Sequence, residues 1–439
     1  MIKTVVAAAV VGVILYGQGA FAETLEDILK EKGVISEEDY EKVTSSQRAV
    51  TSSQPLAYVL GNGFTFTSAD KKYQGSIGGF MQLRYTYTDL DNANNNKTKI
   101  TQDSSQFQLE RVKLYFNGYA LTPDLTYKLQ LNITQANTPN ILSTGKEIEE
   151  AYIDYRIIDA VQIRFGQDKV PFARQFIISS AAQEFCDLSH VATAFAPGYD
   201  FGAMLHGKIA GGLVTYNAGV FGGNGQGDVQ VSTDTAIAAR IAVNPLGEMK
   251  YVEADVDYSE KPLASFGVNY YGDTVMNNST TTNLNLFSST GWIGIGSPLM
   301  SGAAKFSSTE KLNINSVGFD SAFEWRGLYA QGEYFFGQAD GKTTNNTLRS
   351  QGFYAQAGYF VIPKILEVAA RYAYLDPDRD VTNDHWVEST GAVSWYINNH
   401  FLKIQADFTD IHKQAAIAFN SGPKATNDDR FRLQAQIMF

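Results

Sequence analysis

Most of the chain from Tyr73 to Phe439 alternates between apolar and polar residues. In the stretch 125–134 every odd position is Leu, Tyr or Ile, and every even position is Thr, Lys, Gln or Asn. A period of two places alternate side chains on opposite faces of a β-strand. We count about sixteen such segments, which begin near Ile77, Phe107, Leu125, Ile148, Val161, Phe201, Leu213, Ala236, Ala264, Val317, Leu328, Phe353, Leu366, Val387, Leu402 and Phe431. An even number of alternating strands is typical of a closed antiparallel barrel.

The links between these segments alternate in length. Short links such as 158–159 and 362–364 are followed by long polar links such as 89–104 and 272–311. Short turns at one rim and long loops at the other are typical of outer-membrane barrels, and they place both chain ends in the periplasm. One link, Asn244–Pro262, falls where a short turn is expected and does not fit.

The long link Gln167–Tyr199 has no clean period and contains the only cysteine, Cys186. A structureless loop of this length is uncommon and usually has a function. We predict that this third external loop folds into the mouth of the barrel and narrows the pore, with Cys186 as a buried thiol. Lys169 and Arg174 would then stand opposite the basic residues of the barrel wall.

The chain before the barrel is different in character. Residues 1–22 fit a signal peptide, because Lys3 precedes an apolar run and Ala20-Phe21-Ala22 forms a small-residue cleavage site. Residues 23–48 have helical spacing and predict an acidic helix-turn-helix, either a periplasmic plug or a solvated extension. Residues 49–72 are a linker, and 73–439 form the barrel domain.

Polarity distinguishes a membrane barrel from a soluble all-β protein. The apolar face is rich in Tyr and Phe near the strand ends, as aromatic girdles require, and the mean hydropathy of −0.19 suits strands that are wet on one side. The polar face faces the lumen. Its basic residues are Arg84, Arg111, Lys113, Lys128, Arg156, Arg164, Lys208, Arg240, Arg326, Arg371, Lys403, Arg430 and Arg432, and its acids are Glu150, Asp154, Asp320, Glu324, Glu333, Glu367, Glu388 and Asp407.

This inner face carries a surplus of about five positive charges, although the whole chain has a net charge of −11. The charge distribution therefore predicts anion preference. The alternative is that the charges pair across strands and cancel, with Asp154 and Arg156 as candidates. The predicted pore-lining and constriction residues are Arg111, Lys113, Lys128, Arg164, Lys169, Arg174, Arg240 and Arg371.

No motif predicts catalysis, a cofactor or a metal centre. Asp376, Asp378 and Asp380 have the spacing of a calcium loop, but Val381 and Val387 occupy the positions where Gly and Glu are needed. At most, this external link would loosely hold divalent ions or lipopolysaccharide.

Several ordered motifs resemble the phosphate-selective porin O/P family. They include Phe107–Gly118 (FQLERVKLYFNG), Phe165–Phe172 (FGQDKVPF), Phe195–Asp200 (FAPGYD), Tyr216–Asn224, Arg371–Asp378 and Ser394–Asn398. The resemblance implies a sixteen-stranded homotrimeric porin with an inward third loop and a phosphate site of basic residues, of which Arg111, Lys113 and Lys169 match here. This chain has Glu110-Arg111 where relatives often have two arginines.

We therefore expect an outer-membrane porin of a Gram-negative bacterium that passes small hydrophilic solutes, preferentially anions, with phosphate as a candidate. Its expected partners are outer-membrane lipid, lipopolysaccharide and small anionic solutes, not nucleic acid. A second hypothesis is a barrel that sheathes a cytochrome for electron transfer, which requires a wide, unblocked lumen. A barrel enzyme is a third hypothesis, and it lacks a catalytic constellation.

Overall fold

The computed structural model describes residue 36 and the ranges 56–61, 63–90, 103–134, 147–223, 225–227, 233–276, 306–307, 310–414 and 425–439. The signal peptide and nearly all of the helix-turn-helix lie outside these residues, so both stay predictions. The described residues from Ala57 onward belong to one compact unit. No helix among the described residues is long and apolar enough to cross a membrane.

The described part of the unit consists mainly of antiparallel strands. Their bounds are β1 Leu56–Val59, β2 Gly63–Thr67, β3 Tyr73–Asp89, β4 Ser104–Ala120, β5 Thr122–Asn132, β6 Ile148–Ile158, β7 Val161–Lys169, β8 Tyr199–Ile209, β9 Val214–Phe221, β10 Ala236–Val243, β11 Leu263–Met276, β12 Lys311–Trp325, β13 Leu328–Gly341, β14 Thr347–Ile362, β15 Leu366–Asp376, β16 Trp386–Asn398, β17 Leu402–Lys413 and β18 Thr426–Met438.

Strands β3 to β18 form a closed ring. Each pairs with the next strand in the chain, and β18 pairs with β3 from Asp429↔Asp89 to Met438↔Phe80, which closes the barrel. The prediction of a closed antiparallel barrel of about sixteen strands is confirmed. Closure satisfies the backbone hydrogen bonds of every strand, which a lipid environment requires.

Two short strands lie in the range that was predicted as a linker. Strand β2 pairs with the beginning of β3, from Phe64↔Ile77 to Thr67↔Gln74. This pairing lies beside the end of β18, which reaches only Phe80. The alternation of Phe64 and Phe66 with two threonines is the sequence signal for β2, which is not one of the sixteen predicted segments.

The two faces of the barrel differ as the alternation predicts. In β16, Val393 and Trp395 are exposed, whereas Glu388 and Ser394 are buried. The same exposure of large apolar side chains recurs around the ring, for example at Phe107, which is 86% exposed. Such residues face lipid, and the buried polar residues face the lumen.

The segment between β7 and β8, residues 170–198, is the constriction loop. It contains helix α1 (Arg174–Ile177) and helix α2 (His190–Phe195), and the Ser189 side chain caps α2 by accepting from the Ala192 N–H. Phe195 of α2 stacks on Phe335 of β13, with ring centroids 5.2 Å apart. Apolar side chains on the lumen face of β13–β15 thus anchor the loop inside the ring.

The link that did not fit as a short turn, residues 244–262, is a second inward segment, which we call the inner turn. The Glu253 N–H donates to the carbonyl of Ala182 in the constriction loop at 2.9 Å. Glu253 and Asp255 are at most 1% exposed. The inner turn is long because it enters the lumen and supports the constriction loop.

Candidate functional site

An arginine cluster binds the middle of the constriction loop. The Asp187 carboxylate contacts Arg84 at 2.8 Å, Arg111 at 2.9 Å and Arg432 at 2.5 Å. Burial alone would raise the pKa of Asp187, but the guanidinium groups of Arg432, Arg84 and Arg111 together outweigh burial and hold this pKa well below its usual value. Three lumen-facing arginines are therefore occupied in fixing the loop to β3, β4 and β18.

Buried carboxyl groups fix the rest of the loop. Glu333 of β13 accepts from the backbone N–H groups of Arg174 and Gln175 at 2.6 and 2.7 Å. Glu253 of the inner turn accepts from the Glu184 N–H at 2.8 Å. Glu184 itself accepts from the Gln356 side chain at 2.9 Å, so the loop is tied to two barrel strands and to the inner turn.

Glu184 Oε1 and Glu367 Oε1 of β15 both lie beside Gly358, and neither oxygen has a hydrogen-bond partner among the described residues. Burial raises the pKa of Glu184 well above its usual value, and the neighbouring charges of Glu367 and Glu253 raise it further. Two buried carboxyl groups that face each other favour protonation of one of them, because their negative charges repel.

A cavity of about 300 Å³ remains between the loop and the wall formed by β4–β9. It adjoins a second cavity of about 500 Å³, because Lys128, Gln130, Tyr152 and Ser179 line both. The constriction loop is packed against the opposite wall through Phe335 of β13. The open part of the lumen consequently follows the β4–β9 side.

Four of the predicted site residues line the first cavity: Lys113, Lys128, Arg164 and Lys169. Lys113 pairs with Glu149 at 2.6 Å, and Lys128 pairs with Glu150 at 2.5 Å. These wall charges are thus largely compensated by neighbouring carboxylates.

The positive charge of Arg164 is compensated by two carboxylates. It contacts Asp154 at 2.6 Å and Asp168 at 2.5 Å, and its guanidinium lies 4.1 Å from the ring centroid of Tyr152. Asp154 therefore pairs with Arg164 and not with Arg156, which pairs with Asp124 near the rim. The expected Asp154–Arg156 pair does not form, because Arg164 directly faces Asp154 across β6 and β7.

Lys169 differs from the other three. Its Nζ donates to the backbone carbonyls of Phe176, Ile177 and Ile178 at 2.7, 3.1 and 3.0 Å. No carboxylate of a described residue lies within ion-pair distance of it. Lys169 fixes the end of α1 and brings a positive charge without a carboxylate partner to the cavity.

The first cavity is not lined by the other four predicted site residues. The Arg111 side chain is 20% exposed, and the other three residues are buried. Arg111 is held by Asp187 and Gln82. Arg240 pairs with Asp320 at 2.8 Å and is 1% exposed. Arg371 donates to the carbonyl of Asp187 at 2.9 Å and is 3% exposed. Their charges serve contacts within the protein.

Arg174 also lies elsewhere than predicted. Its side chain is 1% exposed, donates to Gln331 of β13 at 3.0 Å and lies over the ring of Tyr251 at 4.8 Å. It therefore does not stand opposite Arg111, Lys113 and Arg164. Tyr251 of the inner turn and Gln331 of β13 hold this arginine on the β11–β13 side of the lumen.

Strict alternation placed Glu150 on the lumen face but missed two other acids, Glu149 and Asp168. The register of β5 and β6 shifts between Gln130 and Leu131, so Glu149 and Glu150 are both buried on the inner face. Asp168 belongs to the end of β7, which extends further than the sequence pattern indicated. A β-bulge adds one residue to a strand, and single-strand alternation gives no sign of it.

Comparisons with known proteins agree with this geometry. The family model for phosphate-selective porin O and P matches residues 80–439. An uncharacterized protein of Aquifex aeolicus (strain VF5) is 24% identical over 434 residues, which cover 91% of this chain and 92% of the relative.

Solved porins share the fold at low sequence identity. The outer-membrane channel DcaP of Acinetobacter baumannii is 13% identical, with a TM-score of 0.52 over 85% of this chain and 99% of that one. The anion-selective porin from Comamonas acidovorans is 10% identical, with a TM-score of 0.51 over 83% of this chain and 100% of that one. These likenesses concern the fold alone. From the family match and the closed barrel, the chain is a protein of the Gram-negative outer membrane and belongs to the phosphate-selective porin O and P family.

Proposed function

We propose that the protein is a diffusion porin for small hydrophilic solutes with a modest preference for anions, phosphate among them. The supporting observation is the first cavity, where four basic side chains meet two carboxylates, Glu150 and Asp168. Local charge at the narrowest part of a pore governs which ions enter it.

The preference is modest because most of the basic side chains are paired. Glu149 and Asp154 lie just behind Lys113 and Arg164 and offset their charge. The Lys169 ammonium donates hydrogen bonds only to carbonyls among the described residues, and it is then the main source of positive potential. A unit charge about 8 Å from a permeating ion, in a water-like dielectric, is worth about 0.5 kcal/mol, or roughly a two-fold change in partition.

The experiment is a reversal-potential measurement across a planar bilayer in a salt gradient. We expect an anion-directed potential for the wild type and a roughly five-fold lower anion-to-cation permeability ratio for Lys169→Gln, because loss of the charge lowers the anion partition and raises the cation partition. Lys208→Gln is the matched control, since Lys208 is exposed and pairs with Glu248 at 2.5 Å. Phosphate added as a competing blocker tests whether it enters the same cavity.

A cation-directed potential in the wild type would exclude the anion preference. Equal anion-to-cation permeability ratios for Lys169→Gln and the control would show that Lys169 does not determine the anion preference. The cytochrome sheath is not proposed, because the constriction loop and the inner turn meet inside the lumen at Glu184 and Glu253.

A further inference from the structure

The external link between β15 and β16 brings two acids and a histidine together. Asp376 ends β15, and Asp384 and His385 directly precede β16. The ligand atoms that these three residues offer all lie within 4.8 Å of one another. Asp384 Oδ1 lies 3.8 Å from Nδ1 of the His385 imidazole. Two ligands of one ion with bonds of about 2.0–2.2 Å are separated by at most about 4.4 Å, so the cluster has to contract by at most a few tenths of an ångström to share one ion.

Each of the two acids has a buried oxygen that lacks a donor. Asp376 and Asp384 are 6% and 3% exposed, and Oδ1 of each has no hydrogen-bond partner among the described residues. Their other oxygens are used, since Asp376 Oδ2 accepts from Gln351 at 3.1 Å and Asp384 Oδ2 accepts from the Asp378 N–H at 3.1 Å. A buried carboxylate oxygen without a partner is costly.

No Lys or Arg of the described chain lies within ion-pair distance of Asp376 or Asp384; the nearby cationic candidate is His385. Buried carboxylates are normally paired with a base or coordinate a metal. The cluster therefore lacks a positive charge of its own.

The imidazole of His385 is held in place. The Tyr374 hydroxyl lies 2.9 Å from Nδ1, and the two rings pack with centroids 5.0 Å apart. The backbone N–H of His385 also donates to Gln414 Oε1 at 3.0 Å. A hydrogen bond at one ring nitrogen orients a histidine that ligates a metal through its other ring nitrogen. The His385 side chain is 34% exposed, so an ion reaches the cluster from solvent.

We propose that Asp376, Asp384 and His385 bind one divalent metal ion at the long-loop rim of the barrel. A donor set of two carboxylates and an imidazole favours Mn²⁺ or Zn²⁺ over Ca²⁺ and Mg²⁺, which prefer oxygen ligands alone. This set differs from the calcium-loop spacing in the sequence, because Asp380 is exposed and outside the cluster.

The ion would close the link 377–383 by joining its two ends. The residue after His385 is Trp386, which stacks on His190 of α2 with ring centroids 4.7 Å apart. The proposed site is thus one residue away from the contact between Trp386 and the constriction loop. A bound ion would fix the backbone next to Trp386.

The test uses the full chain, refolded in detergent without lipopolysaccharide and stripped with a chelator. Calorimetric titration with Mn²⁺, Zn²⁺, Ca²⁺ and Mg²⁺ should give one site per chain, with Mn²⁺ or Zn²⁺ tightest. Asp384→Asn and His385→Ala should each weaken binding by about ten-fold or more. Asp380→Asn is the control and should bind as the wild type does.

A second measurement does not depend on how the variants fold. In the wild type, Mn²⁺ or Zn²⁺ should slow trypsin cleavage after Arg379, an exposed residue of the link, and a chelator should restore it. The proposal is overturned if none of the four ions binds stoichiometrically, or if a folded Asp384→Asn protein binds as tightly as the wild type. Tighter binding of Ca²⁺ than of Mn²⁺ and Zn²⁺ would show that His385 does not supply a nitrogen ligand.

Discussion

At the scale of single residues, the loop depends on side chains that meet across large sequence distances. Asp187 reaches Arg432, which is 245 positions away, and Gln405 of β17 donates to the carbonyl of Glu184. Gly358 is as important as the charged groups, because a Cβ at this position would lie 1.8 Å from Glu184 Oε1 and 2.8 Å from Glu367 Oε1. The absence of a side chain at Gly358 allows the two carboxyl groups to meet.

Gly358→Ala should therefore displace Glu184 and loosen the constriction loop. Overpacking of this kind costs about 1–3 kcal/mol. We expect faster hydrogen exchange of the backbone amides in residues 180–190. Gly391→Ala is the matched control, since a Cβ there has no atom within 4 Å. Identical exchange in the two variants would show that the Glu184–Glu367 contact does not hold the loop.

At the scale of elements, the constriction is built from two segments that the barrel carries at different places in the chain. The constriction loop packs on β13–β15 through Phe335 and is fixed to β3, β4 and β18 by the ion pairs of Asp187. The inner turn supports it through Glu253. A sequence signal for the apolar contact exists, because Phe335 is apolar at a position where alternation requires a polar residue. Nothing in the local pattern indicates the partner.

The attachment of the loop should weaken as pH rises. The folded-state pKa of Glu184 is raised above its usual value of 4.5, so the stability from its protonated form is fully present below pH 4.5 and is lost as pH rises through the raised value. Hydrogen exchange of residues 180–190, corrected for the intrinsic rate, should increase across that range. Glu184→Gln keeps a donor toward Glu367 and should remove the pH dependence. If exchange in the wild type depended on pH as little as in Glu184→Gln, protonation of Glu184 would not be what holds the loop.

At the scale of the whole molecule, the barrel is stabilised by closure of the ring of strands β3–β18. The pairing of β18 with β3 and every neighbouring pair between them lie within residues 73–438. The homotrimer that the family resemblance implies stays a prediction. So do the signal peptide and the helix-turn-helix before the barrel.

A chain shortened to residues 56–439 should fold in detergent to the same barrel. We expect a β-sheet circular dichroism spectrum and a single-channel conductance within error of the full mature chain, because every pair of the ring is retained. The full mature chain, refolded in parallel, is the control. Failure of the shortened chain to fold would mean that the earlier residues are needed to assemble the ring.

The sequence alone determined the barrel, the number of strands and the residues that face lipid. Alternation is a local property, and all sixteen predicted segments correspond to strands β3–β18. Only the tertiary structure decided which basic residues carry free charge. Their partners come from bulged strands, as Glu149 does, or from inward segments, as Asp187 and Tyr251 do. A bulge or a distant loop leaves no period in the sequence, and charge compensation is fixed by distances that form only when the ring closes around the loop.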